Sequence, residues 1–448
     1  MSGAKEDLQV DVAHSHLEMS SLDTRLENDF EDVGQGIADG RAGTPGVTQH
    51  VPLPVARRRC GINCLGSTLF CSLRTVIFTP KLNVLLPCGP GAILVHTVWR
   101  NQGLVFILSL LGIIPLAERI GYVTEQLAFF TGATVGGLLN CTFGNATEVV
   151  ISIFALKNGM MRIVQQSLLG SILSNMLLVL GFSFFGGGIV SKKAQVFDKA
   201  SAVMNSGMLL MAVMGLLFPA VLHYTHTEAH FGKSELALSR FSSCVMMAAY
   251  AGHLFHELKS KKSHNDQVNE EAIESEVHSV GEEVAEISKW EAIIWLVIFT
   301  AWISVISEFL VDTIEGAAEE WNIPITFISV VMLPVIGNAS EHASAIMFAM
   351  KDKLDLTLGI AIGSSTQISM FGIPFAVVVG WIMGHPMDLN FHLFETAALF
   401  ITVLVVAILL QEGTSNYSKG MLLVLCYTIV AASFFLHTDA TSTNEKFF

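Results

Sequence analysis

Gly144-Asn145-Ala146-Thr147-Glu148 recurs as Gly337-Asn338-Ala339-Ser340-Glu341, and both copies lie inside hydrophobic stretches. The match runs on without a gap. Gly170-Ser171 follows the first copy at the distance at which Gly363-Ser364 follows the second. Each copy places a carboxylate, an amide and hydroxyls where a bilayer would penalise them. An ionisable group in a membrane span is costly and marks an ion or proton pathway by default. Two related copies point to one site built from the halves of a duplicated transporter.

The composition agrees. The chain has 448 residues, 52% hydrophobic and 14% charged, too apolar for an ordinary soluble protein. The formal charge of −14 is concentrated in residues 1–50 and in the stretch Asp266 to Glu286, both solvated, so it says little about the membrane part. Basic runs are short (Arg57-Arg58-Arg59, Lys259 to Lys262) and flank spans as topogenic charge, which argues against a nucleic-acid partner. Seven cysteines without a recurring spacing make no disulfide framework, and Cys60, Cys64 and Cys71 read as cytosolic thiols beside basic residues. No N-terminal signal peptide is seen, and residues 1–75 read as a disordered cytosolic tail.

A span needs roughly 20 apolar residues. Eleven segments qualify: about 76–98, 103–117, 131–156, 163–188, 201–223, 236–257, 291–311, 325–350, 355–382, 391–411 and 420–437. The first is interrupted by Pro80, Lys81, Pro87 and Pro90, and the second is short. With a cytosolic N-terminus, the cytosolic loops hold eleven Lys and Arg against six opposite, before the tail adds seven more. That bias supports this orientation. Without the first span, five helices remain before residue 260 and five after 290. An odd number per repeat makes the halves insert in opposite directions, with a site near the midplane at their interface.

The expected organisation is therefore an all-α polytopic membrane protein. A tail (1–75) and a first helix (76–98) precede a five-helix repeat (103–258). An acidic cytosolic linker helix (259–289), a second five-helix repeat (290–437) and a short tail (438–448) follow. Residues 266–286 carry eight acids and no Lys or Arg, and could attract cations or contact the first span.

Within each motif Asn and Glu stand at i and i+3, on one helical face. Glycines (Gly136-Gly137, Gly144, Gly337) and Pro334 permit a broken helix whose freed carbonyls line a cavity. Carboxylate, amide and carbonyl oxygens make a hard-oxygen site suited to Ca²⁺ and, less selectively, Mn²⁺. Asn145, Asn338, Ser171, Ser364 and Gln367 are candidate walls, with Gln367 at the place of Ser174. A dry surrounding disfavours a lone carboxylate, so Glu148 and Glu341 are suited to hold either a proton or a share of a divalent cation. That competition, joined to alternating access, yields antiport. Each pH unit supplies about 1.4 kcal/mol per proton. His342 follows Glu341 where the first copy has Val149, so it is a candidate for proton coupling or gating. Glu118 and Glu125, repeated at the same spacing as Glu308 and Glu315, are upstream carboxylates; Glu118 and Glu308 are candidates for the same coupling role. His223, His226 and His230 with Glu228 form a His-rich loop that could sense acidity or bind metal weakly.

The stretch GNATEVVISIFALKNGMMRIVQQSLLGSILSN from Gly144 resembles the first signature region of the cation/proton exchanger family, and GNASEHASAIMFAMKDKLDLTLGIAIGSSTQIS from Gly337 resembles the second. NVLLPCGPGAILVH (83–96) and PLAERIGYVTEQLA (115–128) are similar to its plant vacuolar branch. The likeness covers about residues 76–437. It implies a sodium/calcium-exchanger-like fold with a regulatory first helix and tail, and transport of Ca²⁺, Mn²⁺ or other metals such as Cd²⁺ into vacuoles against protons. The family's paired glutamates fall on Glu148 and Glu341, and its second-motif histidine on His342. No resident cofactor is implied. Expected partners are the transported ions and the bilayer, with a homo-oligomer and regulators of the tail as further candidates. Three other readings stay open from the residues: a sodium-coupled calcium exchanger, a passive cation channel, and an intramembrane enzyme using Glu341 and His342. The last predicts neither duplication nor opposed orientations.

Overall fold

The computed structural model describes residues 73, 76, 77, 81–191, 193–227, 233–274 and 286–437, without the side chains of 81, 132–135, 137, 138, 140, 141, 258 and 260–274. The expectations for the tail, Cys60, Cys64 and Cys71, the middle of the acidic linker, Glu228, His230 and the C-terminal tail lie outside these residues.

The described part is helical. After a 3-10 turn at Lys81–Leu85 come α1 (Cys88–Val98), α2 (Gln102–Phe143), α3 (Ala146–Lys157), α4 (Met161–Ser191), α5 (Lys199–Tyr224) and α6 (Lys233–Glu274). The second half holds α7 (Lys289–Trp321), α8 (Ile325–Gly337), α9 (Ala339–Met350), α10 (Leu354–Met383), α11 (Leu393–Leu410) and α12 (Tyr417–Leu436). A two-residue antiparallel pair joins β1 (Gln195–Val196) to β2 (Thr414–Ser415). Among the described residues seven helices are long and apolar enough to cross a membrane, and the α8–α9 pair makes an eighth. The rest of the eleven expected segments are helical but fall short of that measure: Leu82–Val98 is short, α3 is 12 residues, and α6 runs from an apolar half into a charged one.

The duplication is visible in the helix ends. α3 and α9 have the same length and sit at the same place relative to their motifs, as do the starts of α4 and α10. The short segment 103–117 continues past Glu118 as helix. α2 then reverses. A Cβ built on Gly136 would lie 2.7 Å from the Cβ of Ala128, whereas eight residues of straight helix would separate them by about 12 Å. The fold-back leads into the buried Asn145, as α8 leads into the buried Asn338.

Local chemistry sets the other ends. Ser288 and Glu291 form a capping box at the start of α7, which stops at Asn322 in the left-handed region (φ 51°). Such a box satisfies two free N–H groups at once. Pro324 then starts α8 from extended backbone. Asp198 accepts from the N–H groups of Ala200 and Ser201 and caps α5, a contribution of about 1 kcal/mol.

α4 is the most buried of the spans and forms the central rod. Lipid is as apolar as leucine, so the helices associate through close packing rather than hydrophobicity. Small residues permit this. Alternating direction of successive helices puts the turns 158–160 and 322–324, residues 225–227 and the loop 384–392 on one face. The opposite face carries the β pair, where Gln195 Nε2 donates to Ala349 O (2.9 Å) and Asp352 Oδ1 (2.7 Å). The end of the linker touches α2 there: Tyr122 donates to Glu286 Oε2 (2.9 Å) and the Glu286 N–H to Gln126 Oε1 (2.7 Å).

Candidate functional site

Both signature motifs break their helices. Asn145 (φ −108°, ψ 28°) and Asn338 (φ −101°, ψ 17°) leave the helical well, and α8 and α9 meet at 58°. Glu148 and Glu341 therefore stand half-buried in the first turns of α3 and α9, with the two carboxyls near enough to act on one another electrostatically. Among the described residues neither pairs with Lys, Arg or His, and Glu148 Oε1 is buried without a hydrogen-bond partner.

The repeats exchange their polar walls. Ser364 Oγ donates to Asn145 Oδ1 (2.7 Å), and Asn338 Nδ2 reaches Ser171 Oγ (3.5 Å). Asn338 also lies within hydrogen-bonding reach of the Glu148 carboxyl. A cavity beside Glu148 is lined by Thr147, Ile151, Ser167 and Ser171 of the first repeat and by Pro334 and Asn338 among others of the second. Its space for the centre of a water-sized sphere is about 20 Å³, enough for about one water or one small ion.

Gly170 explains how α4 comes so close. Pro334 has no N–H, so the carbonyl of Val330, one turn earlier, loses its helical partner. That carbonyl packs onto Gly170, and any Cβ there would overlap it. The stretch Ile328–Met332 is correspondingly π-helical, a local widening that recurs at functional sites. The first repeat has Cys141 at the place of Pro334, and Gly363, the partner of Gly170, has open space around its Cα. The site is thus pseudo-symmetric in its ligand atoms and asymmetric in its backbone.

The structure brings together Glu148, Glu341, Asn145, Asn338, Ser171 and Ser364. Gln367 is buried one turn beyond Ser364 on α10. His342 is buried on α9 with its N–H bonded to Asn338 O (3.0 Å) and its Nε2 without a partner among the described residues. Glu118 and Glu308 are not drawn in. Glu118 binds Arg119 (2.7 Å), and Glu308 binds Lys157 (3.2 Å) at the far end of α3, where both side chains are about half exposed. Asn175, whose Nδ2 reaches Ser364 Oγ (3.4 Å), and the cavity residues Thr147 and Ser167 were not singled out from sequence. Thr147 is repeated as Ser340 and was legible; Asn175 and Ser167 have Ile368 and Ile360 at the matching places and carried no repeat signal.

No three of His, Cys, Asp and Glu converge as a metal cage among the described residues. The site offers two carboxylates and a set of neutral oxygens. Two negative charges close together in a dry region are costly unless a cation or protons join them.

Residues 102–259 and 291–436 match the sequence profile of the sodium/calcium exchanger protein family. The chain belongs to this family. Within it, this exchanger is 66% identical over 388 residues to vacuolar cation/proton exchanger 5 of Arabidopsis thaliana, covering 86% of this chain and 88% of that relative. It is also 66% identical over 377 residues to vacuolar cation/proton exchanger 2 of Oryza sativa subsp. japonica, covering 84% and 86%. Among solved structures, native YfkE aligns with a TM-score of 0.67 at 34% identity, over 80% of this chain and all of that one. The H⁺/Ca²⁺ exchanger CAX aligns with a TM-score of 0.57 at 13% identity, over 80% and 91%, and shares the fold.

Proposed function

We propose that this exchanger is a secondary antiporter that moves Ca²⁺ out of the cytosol against protons from an acidic compartment. The observation that carries this is that Glu148 and Glu341, one from each repeat, lie within electrostatic range of one another with no cationic partner among the described residues. Ca²⁺ is the substrate best matched to two carboxylates, amide carbonyls and hydroxyls; Mn²⁺ and Cd²⁺ are secondary substrates. With Ca²⁺ bound the carboxylates are charged; with protons bound they are neutral. Alternating access of one site then couples the two flows. Asn145, Asn338, Ser171, Ser364 and Gln367 supply the neutral oxygens, and His342, buried beside Glu341, tunes proton uptake at the second carboxylate.

The relatives support this reading. Those of Arabidopsis and rice are named vacuolar cation/proton exchangers, and YfkE is described as a Ca²⁺/H⁺ antiporter. The membrane assigned is the vacuolar one, with the N-terminus cytosolic, so the β face meets the cytosol and the face of loop 384–392 meets the lumen. The basic residues of the loops are distributed in that sense.

The test is uptake of Ca²⁺ into vesicles holding the purified chain. Uptake is expected to need an imposed pH gradient and to collapse with a protonophore. Uptake that persists unchanged without the gradient would make the chain a channel. Uptake driven by a sodium gradient instead would make it a sodium-coupled exchanger.

A further inference from the structure

On the face of loop 384–392 the first two turns of α4 are tied into a polar network that the ion site does not use. Arg162 holds Glu395 of α11 (2.6 Å) and donates to Gln165 (2.7 Å). Gln165 Nε2 donates to Asp388 Oδ1 (2.9 Å) and to the Asp388 carbonyl (3.2 Å). Gln166 Nε2 reaches Glu395 Oε1 (3.3 Å) and Thr326 of α8 (3.4 Å). The loop also rests on α6, where the Leu389 N–H donates to Ser239 (3.0 Å). Glu235, one turn earlier on α6, is buried and pairs with His223 at the end of α5 (2.8 Å).

Three carboxylates thus share this region with Arg162 and His223, while Arg240, next to Ser239 on α6, lies over the ring of Trp381 at the end of α10 (4.7 Å). Glu395 is matched by Arg162 and Glu235 by His223. Asp388 receives only neutral donors, Gln165 and the Asn390 N–H (3.0 Å). The charged groups facing it are Arg162 from α4, Glu235 from α6 with His223 behind it on α5, and Glu395 from α11; its own loop carries His385 and His392.

The fold does not require this network. At the matching places in the second repeat, Arg162, Gln165 and Gln166 become Asp355, Leu358 and Gly359. There, among the described residues, the side-chain tie at these places is from the Asp198 N–H to Asp355 Oδ1 (2.8 Å). The repeats differ here where the ion site keeps its symmetry, so the network serves one face alone.

We propose that Asp388, with Gln165, Arg162, Glu235, His223 and Glu395, is a positioning cluster that makes exchange depend on the acidity at this face itself, apart from the size of the gradient. The link to the site is α4. Its first turns carry Arg162, Gln165 and Gln166, and the same helix supplies Ser167 and Ser171 to the Glu148 cavity. Pinning the start of a helix fixes the rotation and height of the ligands further along it.

The sign follows from Asp388. Burial, joined by the negative charge of Glu235, holds its carboxyl above the ordinary aspartate range, against the lowering effects of Asn390, Gln165 and Arg162. A carboxyl raised in the assembled arrangement favours that arrangement when protonated. The cluster is therefore fully assembled at acidic pH and loosens as pH rises through the raised value. A protonated Asp388 still accepts from Gln165 and no longer repels Glu235.

This inference rests on assigning the face to the acidic lumen, and its test separates the two. Ca²⁺ uptake by the reconstituted full chain is measured under two gradients of one pH unit that bracket the range above an ordinary aspartate: about pH 4.5 inside against about pH 5.5 outside, and about pH 7.5 against about pH 8.5. The wild-type chain is expected to slow in the second pair, by at most about tenfold per pH unit for one titrating proton. Asp388→Asn, neutral at every pH, is expected to lose the part of this slowing that Asp388 contributes and keep only that of the ion site. Gln165→Ala, which removes the tie, is expected to lower the acid-lumen rate toward the neutral-lumen one. A second readout needs no gradient: hydrogen exchange of residues 158–171, corrected for intrinsic rate, is expected to rise with pH in the wild type and to stay flat in Asp388→Asn. An Asp388→Asn chain that keeps the wild-type pH dependence in both assays overturns the cluster. Absence of exchange by the wild type under either gradient overturns the functional reading instead, and hydrogen exchange still decides the cluster.

Discussion

Ser364 of the second repeat donates a 2.7 Å hydrogen bond to Oδ1 of Asn145 in the first, and Asn338 of the second reaches Ser171 of the first at 3.5 Å. Each asparagine is completed by the serine of the other repeat. The ion site is therefore built only when the halves close on each other, so substitutions in either half are expected to act on one shared site.

Because the shorter contact is Asn145–Ser364, Ser364→Ala is expected to weaken Ca²⁺ uptake more than Ser171→Ala. One neutral hydrogen bond contributes about 1 kcal/mol, or roughly fivefold in apparent affinity. In a double-mutant cycle, Asn145→Ala and Ser364→Ala should be coupled by about 1 kcal/mol, while Asn145→Ala and Ser171→Ala should add. Additive effects for the first pair would remove the cross-repeat contact from the account.

Glu148→Gln and Glu341→Gln are each expected to abolish proton-driven Ca²⁺ uptake in vesicles while the chain still inserts and runs as a single species in detergent. The amide keeps the shape of the carboxyl but holds neither a proton in exchange nor the cation's charge. Normal transport by either variant would sink the assignment of the site.

Gly170→Ala and Gly363→Ala are predicted to differ despite their equivalent places in the repeat. A methyl at 170 meets the Val330 carbonyl freed by Pro334, and one at 363 meets open space. Overpacking costs about 1–3 kcal/mol, whereas an unobstructed helical Gly→Ala gains up to about 1 kcal/mol. Thermal unfolding in detergent reads both, and equal midpoints would contradict the close approach of α4 and α8.

Glu308→Gln should leave exchange working. Its partner Lys157 is 3.2 Å away and both side chains are 48–58% exposed, so the pair is worth less than about 1 kcal/mol. Loss of uptake in this variant would restore Glu308 to the coupling role that its repeat with Glu118 suggested.

Much of this protein is legible in one dimension. The repeated motif, the count of apolar segments and the odd number of helices per half follow from transfer energies and covalent spacing, which are properties of local sequence. Glu148, Glu341 and their asparagines stand out because a bilayer tolerates such groups only at a working site. The reading was weaker where contacts join distant segments. The Glu118–Glu308 repeat looked like part of the same machinery, yet each carboxylate found a nearby cation first. A carboxylate's role depends on which charge lies beside it in space, and spacing does not encode that.

The amino-acid order by itself determined the two-fold plan, the membrane class and the kind of oxygen ligands. Only the tertiary structure decided that Asn145 pairs with Ser364 across the interface, that α2 doubles back ahead of Asn145, that Gly170 is held against Val330, and that Asp388 lies on Gln165. These are contacts between elements whose relative height and rotation come from packing of whole helices. A difference of one residue in a proline's place, Pro334 against Cys141, is enough to make two similar repeats approach the same site differently.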